Sequence, residues 1–325
     1  MHKTASTVVR NAVKKMSTST TNGAARTIRK SFLASQQSEG AGAVVRRSIG
    51  TPQLKNLSPF LMLDHFTIPP SAGFPDHPHR GQETITYLLS GSVDHEDFAG
   101  NKGTIYPGDL QFMTAGRGIV HAEMPGQGHG DQKIEGMQLW VDLPEELKMV
   151  EPRYRDLRAR EIPQVKLDND KVHVNVISGK SHGVDSVKDL AYTPVWILDI
   201  TIQPGGRIEQ ELPEDFNAFA YTLEGTTIFG APGSSRVIEQ FHNTVFNADG
   251  GNVIASVAED ADMPARFFLV AGKILKQDVV QYGPFVLTNK EGVYQALEDY
   301  QGRKGGFERA EGWRSEIGRK MMDSM

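Results

Sequence analysis

Four side chains in the first half of the chain have the types and spacing to hold one metal ion. His77 and His79 stand two residues apart, and so do His121 and Glu123. On an extended strand, side chains two apart point to the same side, so each pair faces one way. Two such pairs on neighbouring strands would make a single pocket. The spacing therefore predicts a metal site of three imidazoles and one carboxylate.

This set of ligand atoms also indicates the metal and its chemistry. Three nitrogens and one oxygen suit a borderline divalent ion, first non-haem Fe(II), with Mn, Ni, Cu or Zn as substitutes. One metal ion per chain is expected, with two coordination positions left open. A purely structural site would instead be closed to outside ligands. The residues thus favour an open centre that small molecules can reach.

The carboxylate ligand is not decided by spacing alone. Asp76 has the wrong parity relative to His77 and His79, which leaves Glu83 and Glu123. Glu83 follows His79 by four residues, whereas Glu123 pairs with a histidine. If Glu123 is the ligand, we expect Glu83 to orient a ligand histidine through its free N–H.

The elements that must position these residues are short strands. From Val44 onward, short apolar runs alternate with Gly, Pro, Asn and Asp, which is typical of an all-β chain. A tight turn is predicted at residues 107–109 (Pro-Gly-Asp). Gly116 and Gly118 allow the backbone to bend just before it presents His121. Residues 144–163, charged and bounded by prolines, are interpreted as a solvated linker.

The second half of the chain repeats the first weakly. Residues 220–225 (Ala-Tyr-Thr-Leu-Glu-Gly) resemble residues 86–91 (Thr-Tyr-Leu-Leu-Ser-Gly), which predicts a duplicated barrel. The second copy has no His-x-His pair and only His242 nearby, so we expect it to bind no metal. Beyond Phe285 the apolar spacing becomes helical, with Asn289 as a candidate cap and residues 307–320 as a second helix.

Several segments resemble the cupin pattern and, more closely, the pirin family. They include Pro-Asp-His-Pro-His-Arg-Gly at 75–81, Pro-Gly-Asp-Leu at 107–110 and His-Ala-Glu-Met-Pro at 121–125. The likeness extends over roughly residues 39–318. It implies an all-β protein of two tandem cupin barrels, each a double-stranded β-helix or jelly roll, with short C-terminal helices. It also favours Glu123 over Glu83 as the fourth ligand.

The resemblance implies two functions of different classes. One is flavonol (quercetin) 2,4-dioxygenase activity, which opens the flavonol ring with O2 and releases carbon monoxide, with Glu123 as catalytic base. The alternative is an iron-dependent, redox-sensitive transcriptional coregulator that binds an NF-κB-type partner through Arg46 and Arg47 without catalysis. The coregulator resemblance implies a protein of the nucleus and cytoplasm.

Other residues receive plainer interpretations. Gln82 departs from the family pattern, which has an aromatic residue there, and by parity we expect its side chain to point away from the metal. The remaining histidines are expected to be structural, with His95 facing water. These histidines are His65, His95, His129, His173 and His182.

The composition limits the range of functions. At 325 residues with 38% hydrophobic content, the chain is long enough for two cores. A net charge of −5 argues against direct nucleic-acid binding. The chain contains no cysteine, which excludes disulfides and thiolate ligands. No apolar run approaches the ~18 residues of a membrane span, so we expect no membrane association, and we expect a monomer.

The domain organisation predicted from these patterns has four parts. Residues 1–38 form a basic extension, 39–156 the metal-binding barrel, 157–287 the second barrel, and 288–325 a helical segment. The extension has no acidic residue and an amphipathic start, which is typical of a mitochondrial transit peptide. A disordered basic tail, or translation from Met16, remains an alternative.

Sequencing the N-terminus of the native protein tests the mitochondrial prediction. Import would leave a mature end near residues 25–40. An end at Met1 or Ser17 would contradict import and favour the nuclear and cytoplasmic location.

Overall fold

Strands make up most of the part of the chain that the computed structural model describes, which is residues 23–126, 133–187 and 191–322. The strands of the first half are β1 (Ile28–Leu33), β2 (Ser35–Glu39), β3 (Ala43–Ile49), β4 (Phe60–Ile68), β5 (Phe74–His79), β6 (Gln82–Ser90), β7 (Val93–Asp97), β8 (Lys102–Ile105), β9 (Leu110–Thr114), β10 (Ile119–Pro125), β11 (Ile134–Asp142) and β12 (Arg153–Leu157).

The second half continues in the same style and ends in helices. Its strands are β13 (Gln164–Leu167), β14 (Val172–Ser178), β15 (Lys180–Ser181), β16 (Val184–Asp185), β17 (Val195–Ile202), β18 (Arg207–Glu211), β19 (Phe216–Glu224), β20 (Thr227–Phe229), β21 (Arg236–Ile238), β22 (His242–Phe246), β23 (Asn252–Ser256), β24 (Ala265–Lys273), β25 (Val280–Tyr282) and β26 (Phe285–Leu287). The helices are α1 (Lys290–Gln301) and α2 (Glu316–Met322), and three 3-10 turns lie at Glu145–Leu147, Ala159–Glu161 and Glu308–Ala310.

The strands form two barrels of one topology. In the first barrel, a sheet of order β12-β9-β6-β11-β4-β3-β2 faces a sheet of order β5-β10-β7-β8. In the second, a sheet of order β1-β22-β19-β24-β17-β14-β13 faces one of order β18-β23-β20-β21. The repeated segments lie on β6 and β19, at matching places in the two orders. The predicted all-β fold of two tandem cupin barrels is confirmed.

One edge strand crosses from the start of the chain to the second barrel. β1 precedes the first barrel in the chain but pairs with β22 of the second barrel. β12 follows β11 directly and pairs with β9 as the last strand of the first barrel. β1 and β12 occupy equivalent edge positions in the two sheets. The predicted solvated linker at 144–163 is wrong, because part of it is a strand of the first barrel.

An apolar interface joins the large sheets of the two barrels. The rings of Phe60 and Phe219 meet edge to face with centroids 5.1 Å apart. Tyr87 packs against Phe268 and donates a hydrogen bond of 3.1 Å to Asp199. Because one buried cluster contains residues of both barrels, the interface is continuous with the protein core.

The C-terminal segment returns to the first barrel. Asn289 caps α1 as predicted, its side-chain oxygen accepting from the Gly292 N–H at 2.7 Å. Phe307 is fully buried in a cluster with residues of α1 and of β10 in the first barrel. The second predicted helix is shorter than expected, since residues 307–320 contain a 3-10 turn and only the first part of α2. No helix within the described ranges is long and apolar enough to cross a membrane.

The extension predicted at 1–38 is partly folded. Residues 1–22, which carry the amphipathic pattern, lie outside the described residues. From residue 23 onward the chain belongs to the barrels, and Arg26 is buried with 1% exposure. Its guanidinium donates to the carbonyl oxygens of Pro213, Phe216 and Gly250 at 2.7–3.0 Å. The prediction of a disordered extension is thus wrong for the part that follows residue 22, whereas cleavage of the extension stays a prediction.

We expect Arg26→Ala to destabilise the protein by on the order of 3 kcal/mol, because three buried carbonyl groups lose a charged donor. Chemical denaturation followed by circular dichroism measures this change. Arg29→Ala is the matched control, since Arg29 is exposed on β1. Equal stability of the two variants would contradict an anchoring role for Arg26.

Candidate metal centre

Two antiparallel strands bring three histidines together. β5 carries His77 and His79, β10 carries His121, and the pairing places His121 directly opposite His77. One ligand atom from each histidine lies within 4.8 Å of the other two. The ring centroids are 4.3–5.0 Å apart. The structure thus joins the three predicted histidines at one point inside the first barrel.

A hydrogen bond fixes which nitrogen of one of these rings is free, and burial isolates a nitrogen of a second. His77 Nδ1 lies 2.8 Å from the carbonyl oxygen of Pro75. A carbonyl only accepts, so Nδ1 must carry the proton, and Nε2 keeps its lone pair. His121 Nδ1 lies 2.9 Å from the hydroxyl of Tyr154, while its buried Nε2 has no partner among the described residues. An unpaired buried nitrogen of this kind requires an explanation, and a metal ion provides one.

The third histidine is held by an unexpected neighbour. The amide of Gln82 lies 2.9 Å from His79 Nδ1. The prediction that Gln82 points away from the metal is therefore wrong. Counting alternate residues from His79 predicts that Gln82 points away from the metal. The count fails because β5 ends at His79 and β6 begins at Gln82, with Gly81 between them at a φ of +79°. The alternation of side chains starts anew after the turn, so Gln82 faces the interior of the first barrel. Glu83 faces away from that interior, toward the segment that enters the second barrel.

The electrostatics of the group suit metal binding. Burial, together with His77, lowers the pKa of His79 well below its ordinary value, and burial with the neighbouring histidines does the same for His121. Both rings are neutral at pH 7, the form that coordinates metals. Three imidazoles, held through Nδ1 and converging on one point, therefore fit a divalent metal ion.

Glu123 faces the same space but is not part of this close group. Its buried carboxylate accepts hydrogen bonds from Thr86 Oγ1 at 3.1 Å and from Gln138 Nε2 at 3.4 Å. The pairing of β10 with β5 shifts register between His121 and Glu123, which shifts Glu123 relative to the histidines. Its role as fourth ligand stays a prediction, and its position as a fixed carboxylate beside the histidines is observed.

Glu83 has a different task from the predicted one. Its carboxylate accepts from the Thr114 hydroxyl at 2.8 Å and from the backbone N–H groups of Tyr192 and Thr193 at 3.1 and 3.3 Å. Burial raises its pKa, and these hydrogen bonds act in the opposite direction. The expectation that Glu83 orients a ligand histidine is wrong, because the side chain joins β6 to the segment that enters the second barrel.

A cavity of about 780 Å³ opens beside the histidines. This volume is within the ~300–1,000 Å³ usual for small-molecule sites. His77, His79 and Glu123 form one part of its lining, and apolar side chains such as Met62 and Phe66 form another. The geometry therefore gives a small organic molecule access to the candidate metal position.

Sequence reasoning missed the residues that support His121. Tyr154 lies on β12, the last strand of the first barrel, and its ring stacks on His95 with centroids 5.8 Å apart. Burial and the carboxylates of Asp97, Glu123 and Asp156 raise the pKa of Tyr154 well above its ordinary value, so its hydroxyl is protonated. Its position in a segment interpreted as a linker hid this contact.

Of the histidines outside the group, His65 and His95 are buried and hydrogen-bonded, whereas His173 is exposed. His95 does not face water as expected. It is buried, with Nε2 3.1 Å from an Asp156 oxygen. His65 lies between Glu135 at 2.6 Å and the Tyr221 hydroxyl at 3.2 Å. His129 lies outside the described residues.

The two arginines predicted to bind a partner have contacts within the chain. The Arg46 guanidinium lies 4.1 Å from the ring centroid of Phe241 in the second barrel. Arg47 forms ion pairs of 2.7 and 2.8 Å with Asp64 and Glu39. Both side chains are half-buried. Neither guanidinium group is presented as a free basic surface.

Two cupin barrels, of which the first carries a three-histidine group, define a bicupin with a candidate metal centre. Residues 42–141 match the family model described as Pirin, and residues 197–307 match the one described as Pirin C-terminal cupin domain. The chain therefore belongs to the pirin family.

Individual relatives agree with this assignment. A pirin-like protein of Solanum lycopersicum is 49% identical over 290 residues, covering 89% of this chain and 96% of the relative. Pirin of Homo sapiens is 46% identical over 297 residues, covering 91% and 99%. A crystal structure of quercetin 2,3-dioxygenase from Acinetobacter baumannii superposes with a TM-score of 0.79 at 28% identity, covering 87% of this chain and 99% of that chain.

Replacing His121 or His77 by alanine should abolish metal binding, because each removes one of three converging nitrogens. Elemental analysis of the purified variants measures the metal content per chain. His65→Ala is the matched control, since His65 is equally buried but bonded to Glu135 and Tyr221. Metal retained by a folded variant lacking both His77 and His121 would contradict the assignment. Glu83→Gln should keep its metal.

Proposed function

We propose that the protein is a non-haem iron dioxygenase that opens the ring of a flavonol such as quercetin. One flavonol and one dioxygen would yield one aryl ester of a benzoic acid and one carbon monoxide. The observation that carries the proposal is the three-histidine group on the wall of a cavity large enough for a flavonol. The likeness to a structure named quercetin 2,3-dioxygenase supports it.

The three histidines would hold the metal ion, and other residues of the cavity would bind the substrate and accept its proton. Iron bound to His77, His79 and His121 supplies Lewis acidity and one-electron redox chemistry toward a chelating substrate and dioxygen. Mn, Ni, Cu or Zn could occupy the same nitrogens. The apolar wall, with Met62 and Phe66, favours the flat aromatic rings of the substrate and excludes water from them.

Glu123 is the candidate general base. Its carboxylate lies in the cavity, and hydrogen bonds from Thr86 and Gln138 hold it in place. It can take the proton of the flavonol 3-hydroxyl as that oxygen approaches the metal position, because a carboxylate is a proton acceptor at neutral pH. Its separation from the histidine group suits this role, since a base that is not bound to metal need not dissociate before it acts.

Trp140 is the candidate hydrogen-bond donor to the substrate. It lines the cavity, and its ring meets that of His79 edge to face at 5.1 Å. Its buried indole N–H has no acceptor in the described parts of the chain. A carbonyl or hydroxyl oxygen of a bound flavonol would satisfy this N–H, which would orient the substrate beside the histidines.

Anaerobic addition of quercetin to the Fe(II) protein should shift the flavonol absorption band, and admission of oxygen should then release about one carbon monoxide per quercetin consumed. Glu123→Gln should lower kcat by about 10²–10⁴-fold, the usual contribution of a general base, while quercetin still binds. Absorption spectroscopy and a carbon monoxide assay measure the two steps.

Glu83→Gln is the control for the loss of a buried carboxylate in the same barrel, and it should keep its turnover. A band shift without carbon monoxide would contradict catalysis and favour a ligand-binding sensor. No shift, in protein shown to contain iron, would exclude flavonol binding and leave the partner-binding alternative.

A further inference from the structure

The side-chain amide of Gln82 is placed to decide which ring nitrogen of the candidate ligand His79 carries the proton. It is the first residue of β6, it is fully buried, and its side chain reaches His79 Nδ1 at 2.9 Å. As placed, the amide nitrogen faces Nδ1 while Oε1 is buried without a partner among the described residues. A buried acceptor left without a donor is destabilising.

The two ends of an amide have similar shapes, so its orientation follows from hydrogen bonding. If the NH2 group faces His79, it donates to an Nδ1 lone pair, and the ring proton must sit on Nε2. That proton would point at the other two histidines and block the metal position. If Oε1 faces His79 instead, it accepts from Nδ1–H, and the Nε2 lone pair is free. Only the second arrangement can bind a metal and also give Oε1 a donor.

We propose that Gln82 is a positioning residue that holds His79 as the Nδ1–H tautomer, so that Nε2 is available to the metal. The inference rests on the proposed metal centre and adds to it the residue that prepares its third ligand. For His77 the same task belongs to the Pro75 carbonyl, which can only accept. A side-chain amide can turn either way, so at His79 the same group could also stabilise the wrong tautomer.

An apolar residue at position 82 would leave the Nδ1–H of His79 buried without an acceptor. Loss of such a supporting group usually weakens metal binding by about 10–100-fold. A carboxylate in place of the amide would still accept from Nδ1–H and cannot donate when ionised. These two replacements therefore separate the hydrogen bond from the packing of the side chain.

The affinity of the purified protein for Zn²⁺, measured in competition with a chromophoric chelator, tests the proposal. Q82L should bind Zn²⁺ about 10–100-fold more weakly than the unmodified protein. Q82E should restore the affinity to within a few-fold. Q111L is the matched control, because Gln111 is also buried, lies on the adjacent strand β9, and has no hydrogen bond to a histidine among the described residues. Wild-type affinity in folded Q82L would overturn the proposal, as would equal losses in Q82L and Q111L.

The tautomer of His79 in the metal-free protein gives a second readout that does not depend on catalysis. In ¹⁵N NMR spectra of the imidazole nitrogens, His79 should be protonated at Nδ1 in the unmodified protein and should become a mixture of tautomers in Q82L. Protonation mainly at Nε2 in the unmodified protein would overturn the proposal even if Q82E fails to fold. If the unmodified protein binds no Zn²⁺ but shows the Nδ1–H form, the proposed metal centre fails and the role of Gln82 in selecting the tautomer stands.

Discussion

The candidate site depends on one constraint: three buried imidazoles must each direct a lone pair at the same point. Each neutral ring then carries its proton on the far nitrogen, where an unsatisfied N–H would be costly. The first barrel meets this requirement with three different groups: the carbonyl of Pro75, the hydroxyl of Tyr154 and the amide of Gln82. None of the three is a carboxylate, so none of them adds a negative charge beside the histidines.

Two of these supporting groups come from strands other than those of the histidines. Tyr154 lies on β12, the last strand of the first barrel, and Gln82 lies on β6. Glu83, next to Gln82, accepts from Tyr192 and Thr193 in the segment leading to β17. The second barrel has an apolar interior built around rings such as Phe229 and Phe267. Its link to the site is therefore indirect, through the hydrogen bonds between this segment and Glu83.

The sequence predicted what depends on residue type and local spacing. The duplicated β-barrel, the convergence of His77, His79 and His121, and the cap at Asn289 all follow from periods of two or 3.6 residues and from turn chemistry. The sequence-based predictions fail where strand pairing or a turn decides the position of a side chain. The pairing of β12 with β9 cannot be read from local patterns, so the charged segment at 144–163 gives no sign that Tyr154 reaches His121. The alternation of inward and outward side chains does not continue through a turn, so counting from His79 places Gln82 and Glu83 on the wrong faces of the strand.

That turn is itself held by distant parts of the chain. Gly81 has a φ of +79°, and a Cβ there would lie 2.0 Å from the carbonyl oxygen of Val286, so no other residue fits without displacing the chain that follows the second barrel. Buried Lys148 donates to the carbonyl oxygens of both Gly81 and Val286, and Arg80 donates to Asp299 of α1 at 2.8 Å. The parity change that brings Gln82 to His79 thus depends on residues more than 200 positions later. It follows that the candidate metal centre depends on residues from distant parts of the chain, although all three histidines lie in its first half.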